Sequence, residues 1–241
     1  MFALRKRASL TMNDLAIIET ILRNRTHFFS EIRDGVRLSE KMRAMLVSSL
    51  IFFALYGAVM GSSHSLWQAI SSALKLPMMF LATLFICAPT LYFFNVLFGS
   101  NQSIAQNVAL ILTAITVTAV LLLSFAPITL FFLLTTSQYQ FFKLLNVAIF
   151  SASGIMGVIF LAQGMRIVSA DGGSQGASGR RYVLRMWMFL YAFVGSQLAW
   201  TIRPFFGAPE LEFELFPQLG GNFYTNIFAS LGEILGFLTV Q

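Results

Sequence analysis

The sequence lacks nearly all of the groups that enzymes and metalloproteins use for chemistry. It contains one cysteine and two histidines in 241 residues. His27 and His64 lie far apart, and neither has a Cys, Asp or Glu at the spacing of metal ligands, so we expect no metal site. Cys87 stands alone in an apolar run, which excludes a disulfide framework. Without a nucleophile elbow, a phosphate-binding loop or paired intramembrane carboxylates, we expect neither an enzyme nor a bound cofactor.

Charge is also scarce in this chain. Charged residues make up 11% of it and hydrophobic residues 57%, and the mean hydropathy is +0.75. A soluble domain has about 25% charged residues, so this composition does not fit a water-exposed surface. Several apolar runs approach the roughly 20 residues that span the hydrocarbon core of a bilayer. We therefore predict an all-α, integral membrane helical bundle with multiple passes.

Five apolar segments are long enough to form transmembrane helices. They cover approximately residues 44–63, 76–98, 104–125, 144–165 and 182–202. Pro89 lies within the second segment and Pro127 follows the third, so we predict kinks at these positions. The apolar run 128–136 is too short to span alone. It either extends the third helix past Pro127 or forms a re-entrant segment.

Pairs of small residues, four positions apart, occur in three of these segments. Such pairs allow two helix backbones to approach closely, and we predict them as helix-packing positions within the chain. The pairs are Gly57 and Gly61, Ser153 and Gly157, and Gly195 and Ala199.

Residues 1–43 form a basic segment with nine Lys/Arg and five acidic residues. Their apolar residues follow helical spacing, which predicts one or two amphipathic helices beside the membrane, with no nucleic-acid partner. Two placements remain open: on an anionic leaflet, or packed against the protein's own loops. We predict that a basic face contacts anionic lipid headgroups or a cytoplasmic partner. Its residues are Arg23, Arg25, Arg33 and Arg37.

The distribution of basic residues predicts an orientation. With five spans and a cytoplasmic N-terminus, the linker at 166–181 and its flanks lie on the cytoplasmic side. Thirteen of the 16 Lys/Arg residues then fall on that side, and only Lys75, Lys143 and Arg203 on the other. This asymmetry follows the positive-inside rule, so we expect the C-terminus to be non-cytoplasmic.

Residues 204–241 are predicted to form an outer-face corner and an interfacial tail. The corner is a candidate contact surface, and the alternative is that it only anchors the chain to lipid and to its own helices. Its residues are Arg203, Phe205, Phe206 and Phe213. The stretch 211–216 suits a short extended or hairpin piece, and 222–240 suits an interfacial helix. A sixth span is the alternative for 222–240, although an unpaired Glu233 near its middle would cost about 3 kcal/mol.

One part of the chain resembles a known family. The stretches SLWQAISSALKLPMMFLATLFICAP and NQSIAQNVALIL resemble the Yip1-like family of small polytopic membrane proteins. The likeness covers about residues 44–165 and implies membrane organisation, trafficking or complex assembly without catalysis. Residues 182–241 fall outside it. The whole chain is also similar to uncharacterised bacterial inner-membrane proteins, which implies an inner-membrane location and transfers no function.

Two functions follow as expectations. The first is a non-enzymatic protein that scaffolds, assembles or regulates a membrane complex, with a membrane-protein partner or a second copy of itself. The second is a channel or transporter for ions or small neutral solutes, formed as a homo-oligomer. The motifs APTLYFF and APITLFF favour transport because broken helices line many substrate sites. The absence of Asp, Glu, Lys and His from the span cores opposes it, since ion coupling normally uses these groups.

Overall fold

The computed structural model describes residues 16–97, 102–136, 138–169, 177–203, 205–206, 215 and 222–235. Every regular element within these ranges is a helix. The predicted all-α class is therefore confirmed for the described part of the chain. Of the stretch 211–216, predicted to be extended, all but residue 215 lies outside the described residues.

Eight helices are described. They are α1 (residues 16–23), α2 (Arg25–Arg33), α3 (Leu38–Gly61), α4 (Leu66–Leu97), α5 (Ile104–Thr135), α6 (Tyr139–Val168), α7 (Ala177–Thr201) and α8 (Phe223–Ile234). The predicted linker at 166–181 is thus shorter than expected, because α6 and α7 extend into it from both sides.

Four of the described helices are long and apolar enough to cross a membrane. Helices α3, α4, α5 and α6 contain 24 to 32 residues, and the mean hydropathy of their most apolar windows is 1.9 to 2.5. These values indicate a membrane protein. The fifth predicted segment corresponds to α7, which is not among the four. Arg185 and Gln197 make this helix less apolar.

Most of the stretch 64–75, between the first two predicted spans, is helical. Helix α4 begins at Leu66 and continues through this stretch. Its polar residues include Gln68, Ser72 and Lys75, which are only 0–6% exposed. They repeat at helical spacing and form a polar inward face, so their polarity reflects contacts inside the protein.

The run after Pro127 extends the third predicted helix. Helix α5 continues without interruption from Ile104 to Thr135 and contains Pro127. Of the two alternatives for 128–136, the extended helix is therefore the one that the structure has. Pro89 likewise lies inside the continuous helix α4. The kinks at both prolines stay predictions.

The chain divides into two compact units. Unit 1 comprises residues 1–51, 84–118 and 154–190, and unit 2 comprises residues 52–83, 119–153 and 191–241. The chain passes from one unit to the other five times, once within each helix from α3 to α7. Unit 1 contains 13 of the 16 Lys/Arg residues and unit 2 contains three.

Polar side chains connect α5 to its neighbours within unit 1. The hydroxyls of Ser49 on α3 and Thr116 on α5 are 3.0 Å apart. The Asn95 Nδ2 on α4 donates to Asn107 Oδ1 on α5 at 2.7 Å. All four side chains are at most 2% exposed. Because hydrocarbon offers no partners, such bonds favour contact between helices, and these two join α5 to α3 and α4.

Unit 2 has its own buried polar group at Tyr56. The Tyr56 hydroxyl on α3 donates to Asn146 Oδ1 on α6 at 2.9 Å and lies 3.2 Å from Thr129 Oγ1 on α5. All three side chains are at most 1% exposed. An aromatic cluster packs beside them, in which Phe53 stacks on Phe80 with ring centroids 4.0 Å apart. Tyr56 therefore joins three of the apolar helices.

Two of the predicted small-residue pairs include glycines at close helix contacts. A Cβ on Gly57 would lie 2.8 Å from the backbone of Ser72, and one on Gly61 would lie 2.7 Å from Cα of Ala69, both on α4 in unit 2. In unit 1, a Cβ on Gly157 would lie 2.7 Å from the carbonyl oxygen of Ala114 on α5. These distances leave no room for a larger side chain.

The other predicted packing residues are Ser153, Gly195 and Ala199, which differ in their burial. Ser153 is fully buried within unit 2. Gly195 is not at a close contact, since a Cβ there would lie at an ordinary van der Waals distance, 3.8 Å from the Thr83 side chain. Ala199 is half-buried on α7.

The buried tyrosine gives a first prediction. Tyr56→Phe removes one hydroxyl and leaves Asn146 Oδ1 without this donor, so we expect a loss of about 1 kcal/mol. A change of that size lowers the Tm by roughly 2–4 °C in a protein of this length. Thermal unfolding of the purified protein in detergent measures it. Tyr182→Phe, at an exposed position on α7, is the matched control and should leave the Tm unchanged.

The glycines on α6 give a second prediction. Gly157→Ala pushes a methyl group against the α5 backbone and should destabilise the protein by about 1–3 kcal/mol. A Cβ on Gly154, three residues earlier, would meet nothing within 4 Å. Gly154→Ala should therefore be neutral or stabilising, because alanine favours helix by about 1 kcal/mol over glycine. Equal Tm values for the two variants would contradict the α5–α6 contact.

Candidate functional site

The basic N-terminal segment is packed on the protein through its apolar side. Ile21, Phe28, Phe29 and Ile32 on α1 and α2 are at most 1% exposed. The Phe29 ring occupies the space that a side chain at Gly164 on α6 would need, 2.5 Å from the position of such a Cβ. The segment therefore packs against helices of the protein, and its contact with an anionic leaflet stays a prediction.

The end of α2 is held by a side chain from α5. Gln106 Nε2 donates to the carbonyl oxygens of Arg33 at 2.7 Å and Ile32 at 3.3 Å. These are last-turn carbonyls, which have no donor within the helix itself. The amide therefore caps α2 and fixes its position in unit 1.

A shielded ion pair joins α2 to α3 across the turn at 34–37. Lys41 Nζ lies 3.1 Å from Glu31 Oε2, and the two side chains are 7% and 22% exposed. The same ammonium group donates to the carbonyl oxygen of Val36 at 2.6 Å. Gly35 in this turn has a φ of +74°, which glycine adopts without strain. The pair therefore stabilises the turn that orients the basic segment.

The arginines of the predicted basic face remain largely accessible. Arg23, Arg25 and Arg37 are exposed, while Arg33 is half-buried and its Nε donates to Asp34 at 3.0 Å. Arg23 is 2.6 Å from Glu19 in an exposed pair. The segment thus buries its apolar side and presents its cations. We call Arg23, Arg25, Arg33 and Arg37 the basic face.

Three further arginines of unit 1 are exposed, and the sequence analysis did not assign them to a site. They are Arg43 on α3, Arg166 on α6 and Arg185 on α7. Each belongs to the N-terminal or C-terminal part of a long helix. These arginines contribute to the positive-inside pattern, and this sequence signal could have assigned them to the candidate site.

The corner at Arg203 is packed on unit 2. The Arg203 guanidinium stacks 3.5 Å from the Trp200 ring centroid and its Nη1 donates to the Trp200 carbonyl oxygen at 3.1 Å. Burial lowers the pKa of Arg203 from its ordinary value, and nearby Tyr139 opposes the shift. The group still stays charged at neutral pH, since a guanidinium does not lose its proton in proteins.

The phenylalanines of the corner contact the protein's own helices. The Phe206 ring packs edge-on against Tyr139 and Phe142 of α6, with centroids 5.7 Å apart in both cases. The Phe205 carbonyl oxygen accepts a hydrogen bond from Ser72 on α4. Phe213 lies outside the described residues. These contacts fit the self-anchoring alternative for the corner.

The predicted C-terminal interfacial helix is α8, which is shorter than expected. It has 12 residues, or about 18 Å, and is too short to cross a bilayer. A capping box between Asn222 and Thr225 fixes its start. Glu233 accepts a hydrogen bond from Gln140 on α6 at 2.8 Å, so the carboxylate that opposed a sixth span has a polar partner.

No metal-binding group is found within the described residues, since no three His, Cys, Asp or Glu side chains come together there. Comparisons with protein-family models, with curated proteins and with solved structures find no match for this chain. A functional assignment therefore depends on the geometry of the chain itself.

The shielded ion pair gives a third prediction. Glu31→Gln leaves Lys41 without a counter-charge, and we expect a loss of about 1–3 kcal/mol together with faster tryptic cleavage between residues 25 and 43. Glu19→Gln removes the exposed partner of Arg23 and should change stability by less than about 0.5 kcal/mol. Equal cleavage rates for the two variants would show that the Glu31–Lys41 pair does not hold the segment.

Proposed function

We propose that this protein is a non-enzymatic, five-span membrane protein that scaffolds, assembles or regulates a membrane complex. The observation that carries the proposal is the use of interior polar groups between helices. Ser49, Tyr56 and Asn95 each bond to a side chain of a neighbouring helix. A solute pathway needs polar groups that face water, whereas these are paired with one another.

Helix α7 supplies the fifth span in this proposal. Its 25 residues cover about 37 Å, more than the roughly 30 Å of hydrocarbon in a bilayer. Met186, Phe189 and Phe193 are more than half exposed, as expected for side chains that face lipid. Trp187 Nε1 donates to the carbonyl oxygen of Cys87 on α4 at 2.8 Å, which attaches α7 to an apolar helix.

The distribution of charged residues along the chain supports the predicted orientation. Unit 1 has 13 Lys/Arg residues and six Asp/Glu residues. Unit 2 has three Lys/Arg residues and four Asp/Glu residues. The side with excess Lys/Arg is normally cytoplasmic. We therefore assign the N-terminus and the linker at 166–181 to the cytoplasmic side, and the C-terminus to the opposite side.

The basic face is the surface through which the protein engages other molecules in this proposal. Its exposed arginines lie on α1, on α2 and in the turn at 34–37, in a segment that is packed on the protein. The proposed ligands are anionic lipid headgroups of the cytoplasmic leaflet, with an acidic surface of a membrane-protein partner as the second candidate. Scaffolding also agrees with what the Yip1-like resemblance implies.

The orientation gives a fourth prediction. A reporter inserted between Gly172 and Gly173 should be cytoplasmic, whereas one fused after Gln241 should be on the other side of the membrane. Enzymatic reporters that are active on only one side of the membrane measure this directly. If both reporters give the same side, α7 does not span and the chain crosses four times.

The basic face gives a fifth prediction. Each arginine near an anionic surface contributes about 1 kcal/mol, so the triple variant Arg23→Gln, Arg25→Gln, Arg37→Gln should lose up to about 3 kcal/mol of lipid binding at low salt. Polymer extraction followed by lipid analysis measures the anionic lipid enriched around the protein. The enrichment should fall towards the bulk value in the variant, and in the wild type at high salt.

Arg203→Gln is the matched control, because Arg203 belongs to unit 2 and lies outside the basic face. It should retain the wild-type enrichment. An unchanged enrichment in the triple variant would contradict the assignment of the basic face to lipid, and a protein partner would then replace lipid as its ligand.

A further inference from the structure

Helix α8 attaches to unit 2 through its polar side. Lys143 Nζ donates to Asn226 Oδ1 at 3.0 Å, and Gln140 Nε2 donates to Glu233 Oε2 at 2.8 Å, with both donors on the first turns of α6. Ser230, between the two acceptors on α8, is 2% exposed. These three positions of α8 repeat at i, i+4 and i+7 and form one face.

Three apolar residues of α8 and its C-cap residue Leu235 are exposed on one side. Tyr224, Phe228, Leu231 and Leu235 are 42%, 72%, 43% and 58% exposed. Their spacing of four, three and four residues places them in a single stripe. A surface helix of a soluble protein has the opposite arrangement, with its apolar stripe inward and its polar face in solvent.

The exposed apolar surface of α7 lies next to this stripe and indicates its environment. The Tyr224 hydroxyl lies 3.1 Å from Ser196 Oγ on α7, one turn from Phe193, which is 54% exposed. The apolar surface of α7 in unit 2 therefore continues onto α8. Because four helices in the described part of the chain are apolar enough to cross a membrane, the occupant that fits a continuous apolar surface is the acyl region of a bilayer.

We infer that α8 is a lipid-inserting helix, in which the stripe of Tyr224, Phe228, Leu231 and Leu235 is embedded among the acyl chains near the headgroup boundary of one leaflet. Its polar side stays on α6 and α7. Such helices insert about 5–10 Å below the headgroups. The inference shares with the proposed function only the location of the protein in a membrane.

The charge of α8 determines which lipids it needs. The helix has one charged residue, Glu233, and contains no Lys or Arg. Attraction to anionic headgroups therefore does not contribute, and insertion depends on apolar contact alone. This distinguishes α8 from the basic face, whose proposed binding requires anionic lipid.

Site-specific fluorescence in vesicles tests the inference. The single cysteine is replaced by Cys87→Ala, and Leu231→Cys is labelled with an environment-sensitive fluorophore in the full-length protein. The label should emit at shorter wavelength than in water. In vesicles of phosphatidylcholine, it should be quenched more by lipids with a nitroxide at a shallow acyl position than at a deep one. The result should be the same when phosphatidylglycerol is included.

Ala229→Cys is the matched control, because residue 229 is exposed on the same helix but lies off the stripe. Its label should be quenched by aqueous iodide and should respond little to nitroxide lipids. Iodide quenching of the label at 231 to the same extent would overturn the inference. Protection of that label only when several copies share a vesicle would also overturn it, in favour of a second copy on the stripe.

The two proposals fail in different ways. If the label at 231 is water-exposed while the reporters and the lipid enrichment behave as predicted, only the role of α8 is wrong. If the label is protected but the anionic enrichment is insensitive to the arginines, only the proposed role of the basic face is wrong.

Discussion

Each polar side chain that faces inward from an apolar helix must find its partner within the protein, because hydrocarbon offers none. Thr116 and Asn107 on α5 meet this constraint with Ser49 and Asn95 in unit 1. Tyr56 meets it in unit 2 by bonding to Asn146 beside Thr129. Each such bond contributes only about 1 kcal/mol, but each also specifies which helices are neighbours. The close contacts at Gly57 and Gly157 depend on the same neighbours.

The two ends of the described chain use opposite arrangements to attach their short helices. The N-terminal helices bury apolar residues such as Phe29 and leave arginines accessible. Helix α8 buries polar residues such as Ser230 and leaves Phe228 accessible. An amphipathic helix exposes the side that its surroundings can solvate. This contrast supports an aqueous or headgroup environment for the basic face and a hydrocarbon environment for the stripe of α8.

The helical class, four apolar helices and the close contact at Gly157 could be predicted from the sequence, because hydrophobic runs and small-residue spacing are local signals. The start of α4 could not be predicted, because polar residues such as Gln68 and Lys75 occur both in loops and on the buried polar faces of helices. The partners of Tyr56 lie 73 and 90 residues away, and nothing local specifies them. The placement of α2 was also undetermined, because an apolar face predicts burial without naming what covers it.

Permeability of vesicles that contain the purified protein tests the central claim most directly. If interior polar groups serve only to join helices, proton, potassium and glycerol fluxes should equal those of protein-free vesicles across the physiological pH range. The Tyr56→Phe variant should not change these fluxes, since its hydroxyl faces Asn146 and no solute. A saturable flux above the protein-free level, reduced by substitutions at Thr116 or Tyr56, would contradict the account and identify a conducting protein.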